Sequence, residues 1–554
     1  MLCNADRTVR FACTAVLLAV LGLAARAEPV PAAERGVVMG RNGMAASIHP
    51  LASKVGIDVL QGGGNAVDAA VAMAAMLNVA DAPMTGIGGD AFALIYWARE
   101  GRVVGLNASG RSPYGATREF FVREGYDAVP PLSIHAVNVP GALDGWVTML
   151  ERYGTRPLAE LLAPAIGYAE EGIPVNETLL GWYRVPLADP LAVETYYFDG
   201  RKPRLGQVLV QKNLAESLRK IAQGGRDAFY RGPIAREIVR FSESRGGFLS
   251  MRDFADHRSD WVEPIAATYR GLEVIGFPPN TQGIALLEQL NILEGFDLAA
   301  LGHNSADTIH LMIEGKKLAF ADRNAFIADP DFVTVPVTEL ISKAYAAQRR
   351  ALILPGRAAE AVGPGEPTPH NTTYFAVVDR WGNAVSFINS LRNPWGSRLV
   401  AGDTGILLQN RGRDFSLEPN HPNRYEPHKR SFHTIQPAMV LKHGKPYLLL
   451  GCAGAYQQTL AMVQLLTNVV DFGMNVQEAI EAPRWTHLDG RRMSLERAIP
   501  AAVRRELSRR GHVLVSEHGK GVLWGFCQMI FIDPETGTYW GGSESRASGA
   551  AVGY

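Results

Sequence analysis

Hydrophobic spacing divides the chain into segments of different texture. Over residues 50–60, Leu51, Val55 and Val59 recur every four positions, the repeat of one helix face. Gly62-Gly63-Gly64 breaks this helix, and Asn65 with Asp68 three residues on is a capping-box signature for the next. That second helix, residues 66–79, is almost wholly Ala, Val and Met, and an apolar surface on every side predicts burial between layers. After Gly86-Ile87-Gly88-Gly89, residues 91–97 are rich in large apolar side chains and read as a strand. Residues 143–354 read mostly as helices joined by Pro-rich loops.

The texture changes at Gly363-Pro364-Gly365-Glu366-Pro367-Thr368-Pro369, which cannot hold a regular element and reads as an exposed linker. Residues 372–378 are β-branched and aromatic, 379–383 form a turn, and 384–389 are a second strand. Centring this hairpin on Trp381 places Thr372 opposite Ser390, within reach of hydroxyl contact. A further strand over 447–450 runs into Gly451-Cys452-Ala453-Gly454-Ala455, and a helix follows over 457–470. Hairpins mixed with helices in this last third predict sheets sandwiched by helices. There is no internal repeat.

At 554 residues the chain exceeds one ordinary core, so two lobes or one large layered domain is expected. A hydrophobic fraction of 47% and a charged fraction of 20% suit a folded protein. Lys plus Arg equals Asp plus Glu at 55 each, with no basic run, so neither nucleic acid nor an anionic membrane is called for as partner. Arg7 and Arg10 precede an apolar stretch over 11–25 that closes on Ala25-Arg26-Ala27, the form of a secretory signal cleaved after Ala27. The expectation is a secreted or periplasmic protein, without stable membrane insertion once residues 1–27 are removed. Cys452 and Cys527 remain after that cut, either as one disulfide or, as expected here, as two separate buried thiols. No CxxC or HExxH spacing occurs, and no metal or cofactor is expected.

The chemistry concentrates after the linker. A threonine hydroxyl is a weak nucleophile without an adjacent base. A cut between Asn371 and Thr372 would give Thr372 a free α-amine, whose reference pKa of about 7.7–8.0 leaves much of it neutral near pH 7. Nucleophile and base would then belong to one residue, and attack of the Thr372 hydroxyl on the Asn371 carbonyl would make the cut itself. Ser390 would orient that hydroxyl. The N–H groups of Gly454 and Ala455, between a strand and a helix, would stabilise the oxyanion.

Further motifs appear in order along the chain: Gly43-Met44-Ala45-Ala46-Ser47, Gly63-Gly64-Asn65-Ala66-Val67-Asp68-Ala69-Ala70, Gly86-Ile87-Gly88-Gly89, Val139-Pro140-Gly141, Ala321-Asp322-Arg323, Thr372-Thr373-Tyr374, Gly382-Asn383-Ala384-Val385-Ser386, Asp414-Phe415-Ser416 and Ala482-Pro483-Arg484. With them, nearly all of the chain beyond residue 27 resembles the γ-glutamyltranspeptidase (glutathione hydrolase) family. The resemblance implies an α+β, four-layer αββα sandwich of the N-terminal-nucleophile hydrolase type, formed by two subunits from one precursor. These would be a large subunit, 28–371, and a small subunit, 372–554, that starts at Thr372. It implies Thr372 as nucleophile, Ser390 in place of an assisting threonine, Gly454 and Ala455 as the oxyanion site, and Asp414 as the holder of a substrate α-amino group. The expected activity is cleavage of γ-glutamyl amides through an acyl-enzyme, with transfer to water or an amine. Several positions depart from the family. Arg111 stands off the usual arginine position, Arg392 replaces an asparagine, Arg411 a glutamine, and His433 and Thr434 a serine pair. These departures favour an alternative, an amidase or acylase for another acyl group that carries a carboxylate, held by Arg111, Arg392 or Arg411. A non-catalytic exported binding protein is the third reading. The short connection from Asp414 to His433 predicts an open site.

Overall fold

The computed structural model describes residues 33–360, 371–518 and 524–554. The expected signal, 1–27, and the linker, 363–369, lie outside the described residues. Two seven-stranded antiparallel sheets form the centre. One runs from edge to edge as Ala550–Gly553, Met44–Ser47, Asn371–Val378, Ala384–Arg392, Asp90–Trp97, Arg102–Ala108 and Asp260–Val262. The other runs as Val38–Gly40, Tyr539–Ser543, Phe526–Ile532, Lys445–Ala453, Ala438–Lys442, Leu272–Gly276 and Ile265–Tyr269.

Strand alternation assigns each face to a layer. In Asn371–Val378, the side chains of Tyr374, Ala376 and Val378 enter a core shared with Met439, Leu449 and Ile530 of the other sheet. Phe375 and Val377 point the other way, into a core with the helix Ala66–Ala80. Val440, Leu448 and Leu450 of the second sheet pack outward against the helices Gly283–Leu293, Ala306–Phe326 and Gln457–Val470. The result is four layers in the order αββα. Ala66–Ala80 is buried along its whole length, and Asn65 and Asp68 close the capping box at its start. The sheets approach closely at Gly451, where a Cβ would lie 2.3 Å from the Tyr374 ring.

The hairpin keeps the expected register from Thr373↔Asn389 to Val378↔Ala384. The pairing then shifts, so that Asn371 faces Arg392 and the irregularity falls at Thr372. Two expectations need correction. The middle of the chain also supplies Asp260–Val262, Ile265–Tyr269 and Leu272–Gly276, edge strands whose short, weakly periodic sequences are masked among helices. Cys452 and Cys527 are not separate thiols. They face each other in the register of neighbouring strands and form a disulfide. Their separation of 75 residues carried no sign of this pairing.

Candidate active site

Thr372 stands where the first sheet meets the turn before Gln457–Val470, and it is only 1% exposed. Its Oγ1 donates to Ser390 Oγ at 3.2 Å. It also accepts from Gln458 Nε2 at 3.3 Å. Ser390 Oγ accepts in addition from the Arg392 backbone N–H at 2.9 Å and from Arg411 Nη2 at 3.3 Å. Gln458 was not anticipated. Its only sequence signal is its place in the first turn of the predicted helix after the Gly-Ala turn.

At that turn Gly454 has φ of 130° and Ala455 φ of 49°. These values swing the chain out of the strand and into the helix. Gln282 secures the turn from outside, with Nε2 donating to the carbonyls of Ala455 at 2.9 Å and Thr434 at 2.5 Å. Arg323 in turn donates to Gln282 Oε1 at 3.1 Å.

Around Thr372 and Ser390 lies a buried charged cluster. Arg392 binds Asp414 in two-pronged fashion, Nε to Oδ2 at 2.6 Å and Nη2 to Oδ1 at 2.5 Å. Arg411 Nη1 donates to Asp414 Oδ2 and to Thr434 Oγ1, both at 3.3 Å. Burial alone would raise the Asp414 carboxyl, but Arg392 and then Arg411 outweigh it and hold it below its usual value. Asp414 is therefore ionised at neutral pH, with two guanidinium groups already upon it. Burial pushes Arg411 down to about 10. His433 Nε2 lies 3.2 Å from Asp90 Oδ2, and its ring meets Phe92 edge-on at 4.9 Å. Burial, with the Arg411 and Arg392 charges, drives His433 well below its usual value, so the imidazole is neutral.

The structure brings together Thr372, Ser390, Arg392, Arg411, Asp414 and Thr434, with His433 beside them through Asp90. It places Arg111 in a different network, within 3.1 Å of Asp331, 3.6 Å of Asp329 and 3.7 Å of Asp260. Three carboxylates thus surround the guanidinium that was expected to take a substrate. The site around Thr372 is also buried, not open as the short connection suggested. That connection folds back on itself: Asn423 donates to the Asp414 carbonyl at 2.7 Å, and Phe415 packs against Tyr425. Next to Thr372, Thr373 Oγ1 donates to Asp81 Oδ2 at 2.5 Å, and burial pushes the Asp81 carboxyl up to about 8.

Among the described residues, one group brings three possible metal ligands within 4.8 Å, namely His310, Glu314 and His512. His310 and His512 bond each other at 2.9 Å and Glu314 pairs with Lys317 at 2.7 Å, while His512 Nδ1 has no hydrogen-bond partner among the described residues. No helix among the described residues is long and apolar enough to cross a membrane.

The profile of the gamma-glutamyltranspeptidase family matches residues 52–554. The glutathione hydrolase-like YwrD proenzyme of Bacillus subtilis is 40% identical, over 93% of this chain and 99% of that protein. The acylase ACY 1 proenzyme of Pseudomonas sp. strain SE83 is 38% identical, over 94% of this chain and 95% of its own length. Among solved structures, cephalosporin acylase from Bacillus halodurans superposes with a TM-score of 0.89 at 40% identity, covering 96% of this chain and 98% of that one. The αββα layers, the threonine at the start of a central strand and these relatives agree: the chain belongs to the gamma-glutamyltranspeptidase family and is an enzyme of the N-terminal-nucleophile hydrolase class.

Proposed function

We propose that the protein is made as a precursor, cuts itself between Asn371 and Thr372, and then hydrolyses amides whose acyl group bears a carboxylate and no α-ammonium group. The observation that carries the substrate class is the two-pronged Arg392–Asp414 pair, joined by Arg411. A γ-glutamyl donor needs a free anion for its ammonium group. Here the only carboxylate expected in that role is already neutralised by arginine, and Arg392, Arg411 and Arg413 all act on that one ionised acid. A dicarboxylic acid monoamide meets that balance better. Relatives named as acylases, one of them a cephalosporin acylase, support the same reading. Export through the segment 1–27 belongs to this proposal and predicts mature protein starting at Glu28.

In the self-cut, Thr372 Oγ1 attacks the Asn371 carbonyl carbon and the acyl group moves from nitrogen to oxygen. That shift frees the Thr372 amine, and water then hydrolyses the ester, releasing the Asn371 carboxylate and restoring the Thr372 hydroxyl. In turnover, that amine takes the Oγ1 proton as Oγ1 attacks the substrate carbonyl, and the proton passes to the leaving amine. Ser390 and Gln458 orient Oγ1, and the N–H groups of Gly454 and Ala455 receive the oxyanion. Water brings the acyl-enzyme back to free Thr372 and a carboxylic acid.

The test pairs two measurements. Purified protein is expected as two chains, the smaller beginning Thr-Thr-Tyr-Phe, with Thr372→Ala remaining one chain. On the mature enzyme, a glutaryl amide, its methyl ester and the corresponding γ-glutamyl amide are compared. The glutaryl amide is expected to exceed both others by about thirtyfold in kcat/KM, the scale of losing one buried charge-assisted contact. A γ-glutamyl amide as good as the glutaryl amide would overturn the substrate class.

A further inference from the structure

Asp90 opens the strand Asp90–Trp97 and is the register partner of Ser390 on the neighbouring strand. It is fully buried. Oδ1 accepts from the Gly110 N–H at 2.7 Å and from Gln409 Nε2 at 3.1 Å. Oδ2 has no hydrogen-bond partner among the described residues, and the same holds for Arg411 Nε and both ring nitrogens of His433. Yet Oδ2 stands 3.2 Å from His433 Nε2 and 4.0 Å from Arg411 Nε. An acid, an imidazole and a guanidinium thus sit within contact of one another, incompletely satisfied, directly behind the residue that orients the nucleophile. No step of the self-cut or of turnover uses Asp90.

We propose that Asp90 is a specificity-determining residue that acts through Arg411: protonated, it leaves the Arg411 charge free for the acyl carboxylate, and ionised, it takes that charge for itself. This rests on the carboxylate-bearing acyl group proposed above. Counting charges explains the effect. Within the triad of Arg392, Arg411 and Asp414 one cation is uncompensated while Asp90 keeps its proton and is offset once Asp90 loses it; Arg413 and the buried Arg323 add positive charge around Asp414 in both states. The groups facing Asp90 are few. Ser390, with Arg392 behind it, comes from the adjoining strand, and Arg411 and Asp414 from the turn Arg411–Asp414. His433 comes from the segment beyond, with Arg430 further back and paired to Asp260 at 2.6 Å. The Gly110 and Gly141 N–H groups and Gln409 complete the shell, with the Tyr230 hydroxyl further off. His433 is neutral and cannot neutralise the acid. Burial raises the Asp90 carboxyl to about 7 against the opposing pull of Arg411, so the change falls inside the working range of a hydrolase.

The sign follows. For an acid titrating near 7, the protonated fraction falls about tenfold from pH 6 to pH 8. Affinity for an anionic acyl group should fall with it, and an uncharged acyl group should be indifferent. The experiment measures kcat/KM for a glutaryl amide and for its methyl ester across pH 5.5–9, and follows their ratio. The Thr372 amine titrates in both reactions and cancels in the ratio. In the wild-type enzyme the ratio is expected to drop about five- to tenfold between pH 6 and pH 8. Asp90→Asn keeps an acceptor for Gly110 and carries no charge, and it should hold the ratio near its acid-side value at every pH. Arg411→Gln should lower the ratio at acid pH and flatten it. A preference for the glutaryl amide with a flat wild-type ratio refutes the role of Asp90 and leaves the substrate class standing. No preference at any pH removes the substrate class and this role with it. The decisive slope is read on the wild-type enzyme, so a variant that failed to mature would not protect the idea.

Discussion

Two residues past the proposed cut, the Thr373 hydroxyl is bonded to a carboxyl that burial keeps protonated at neutral pH. Asp81 has its folded-state value raised to about 8, while in the unfolded chain it ionises near its ordinary 3.8. Between those values the folded state holds a proton that the unfolded state has released. Stability therefore falls as pH rises from about 4 to about 8, and the loss levels off above that. Asp81→Asn keeps an acceptor for Thr373 and removes the titration. Its stability advantage over wild type, read by denaturant unfolding, is expected to grow from pH 5 to pH 8 by up to about 1.4 kcal/mol per pH unit. An advantage constant with pH would mean that Asp81 is ionised in the folded protein. Thr372 and Ser390 were legible at this scale because strand pairing is local. Asp90 and Gln458 were not. A lone acid after a glycine motif and a glutamine in a helix are ordinary residues until the fold brings them to Ser390 and Thr372.

The elements of the site are a hairpin, a turn and a helix, and their positions depend on how closely the two sheets meet. Tyr374 stands two residues from Thr372 and lies against Gly451 in the facing sheet. Gly451→Ala would drive a methyl group into that ring. The expected cost is about 1–3 kcal/mol of stability, the usual range for overpacking, seen as a lower denaturant midpoint. Slower self-cutting should accompany it, since the strand that carries Thr372 must shift. An unchanged midpoint would show that the sheets have slack there. Most of these elements were legible in advance. The helix Gln457–Val470 agrees with its expected bounds, and Ala66–Ala80 runs one residue longer than expected. The signals of Ala66–Ala80, a capping box and an apolar face on every side, are written within a few residues. The strands between Asp260 and Gly276 were missed, because three to five residues at a sheet edge carry too little alternation to separate them from loops.

Across the whole molecule, each sheet contains strands from both sides of the proposed cut. Asn371–Val378 sits between Met44–Ser47 and Ala384–Arg392, while Leu272–Gly276 extends the sheet that holds Lys445–Ala453. Backbone ladders and shared cores therefore tie the two pieces together whether or not the chain is continuous. The cut protein is expected to elute as one species in native size-exclusion chromatography and to separate into two chains only under denaturing conditions. The Cys452–Cys527 disulfide lies wholly on the Thr372 side, so reduction should neither release nor be needed to release either piece. Dissociation of the native pieces by reductant alone would contradict this topology.

The sequence by itself determined the local elements, the place of Thr372 near the head of a strand, and the family. Each of these is carried by short-range periodicity or by motifs in order. Only the tertiary structure decided which charges meet. Arg111, Arg392 and Arg411 were equivalent candidates as letters in a sequence. The fold gave Arg111 to three aspartates, gave Arg392 to Asp414, and left Arg411 shared between Asp414, Ser390 and the neighbourhood of Asp90. Electrostatic partnership depends on distances of a few ångströms between residues far apart in the chain, and burial sets how strongly each distance counts.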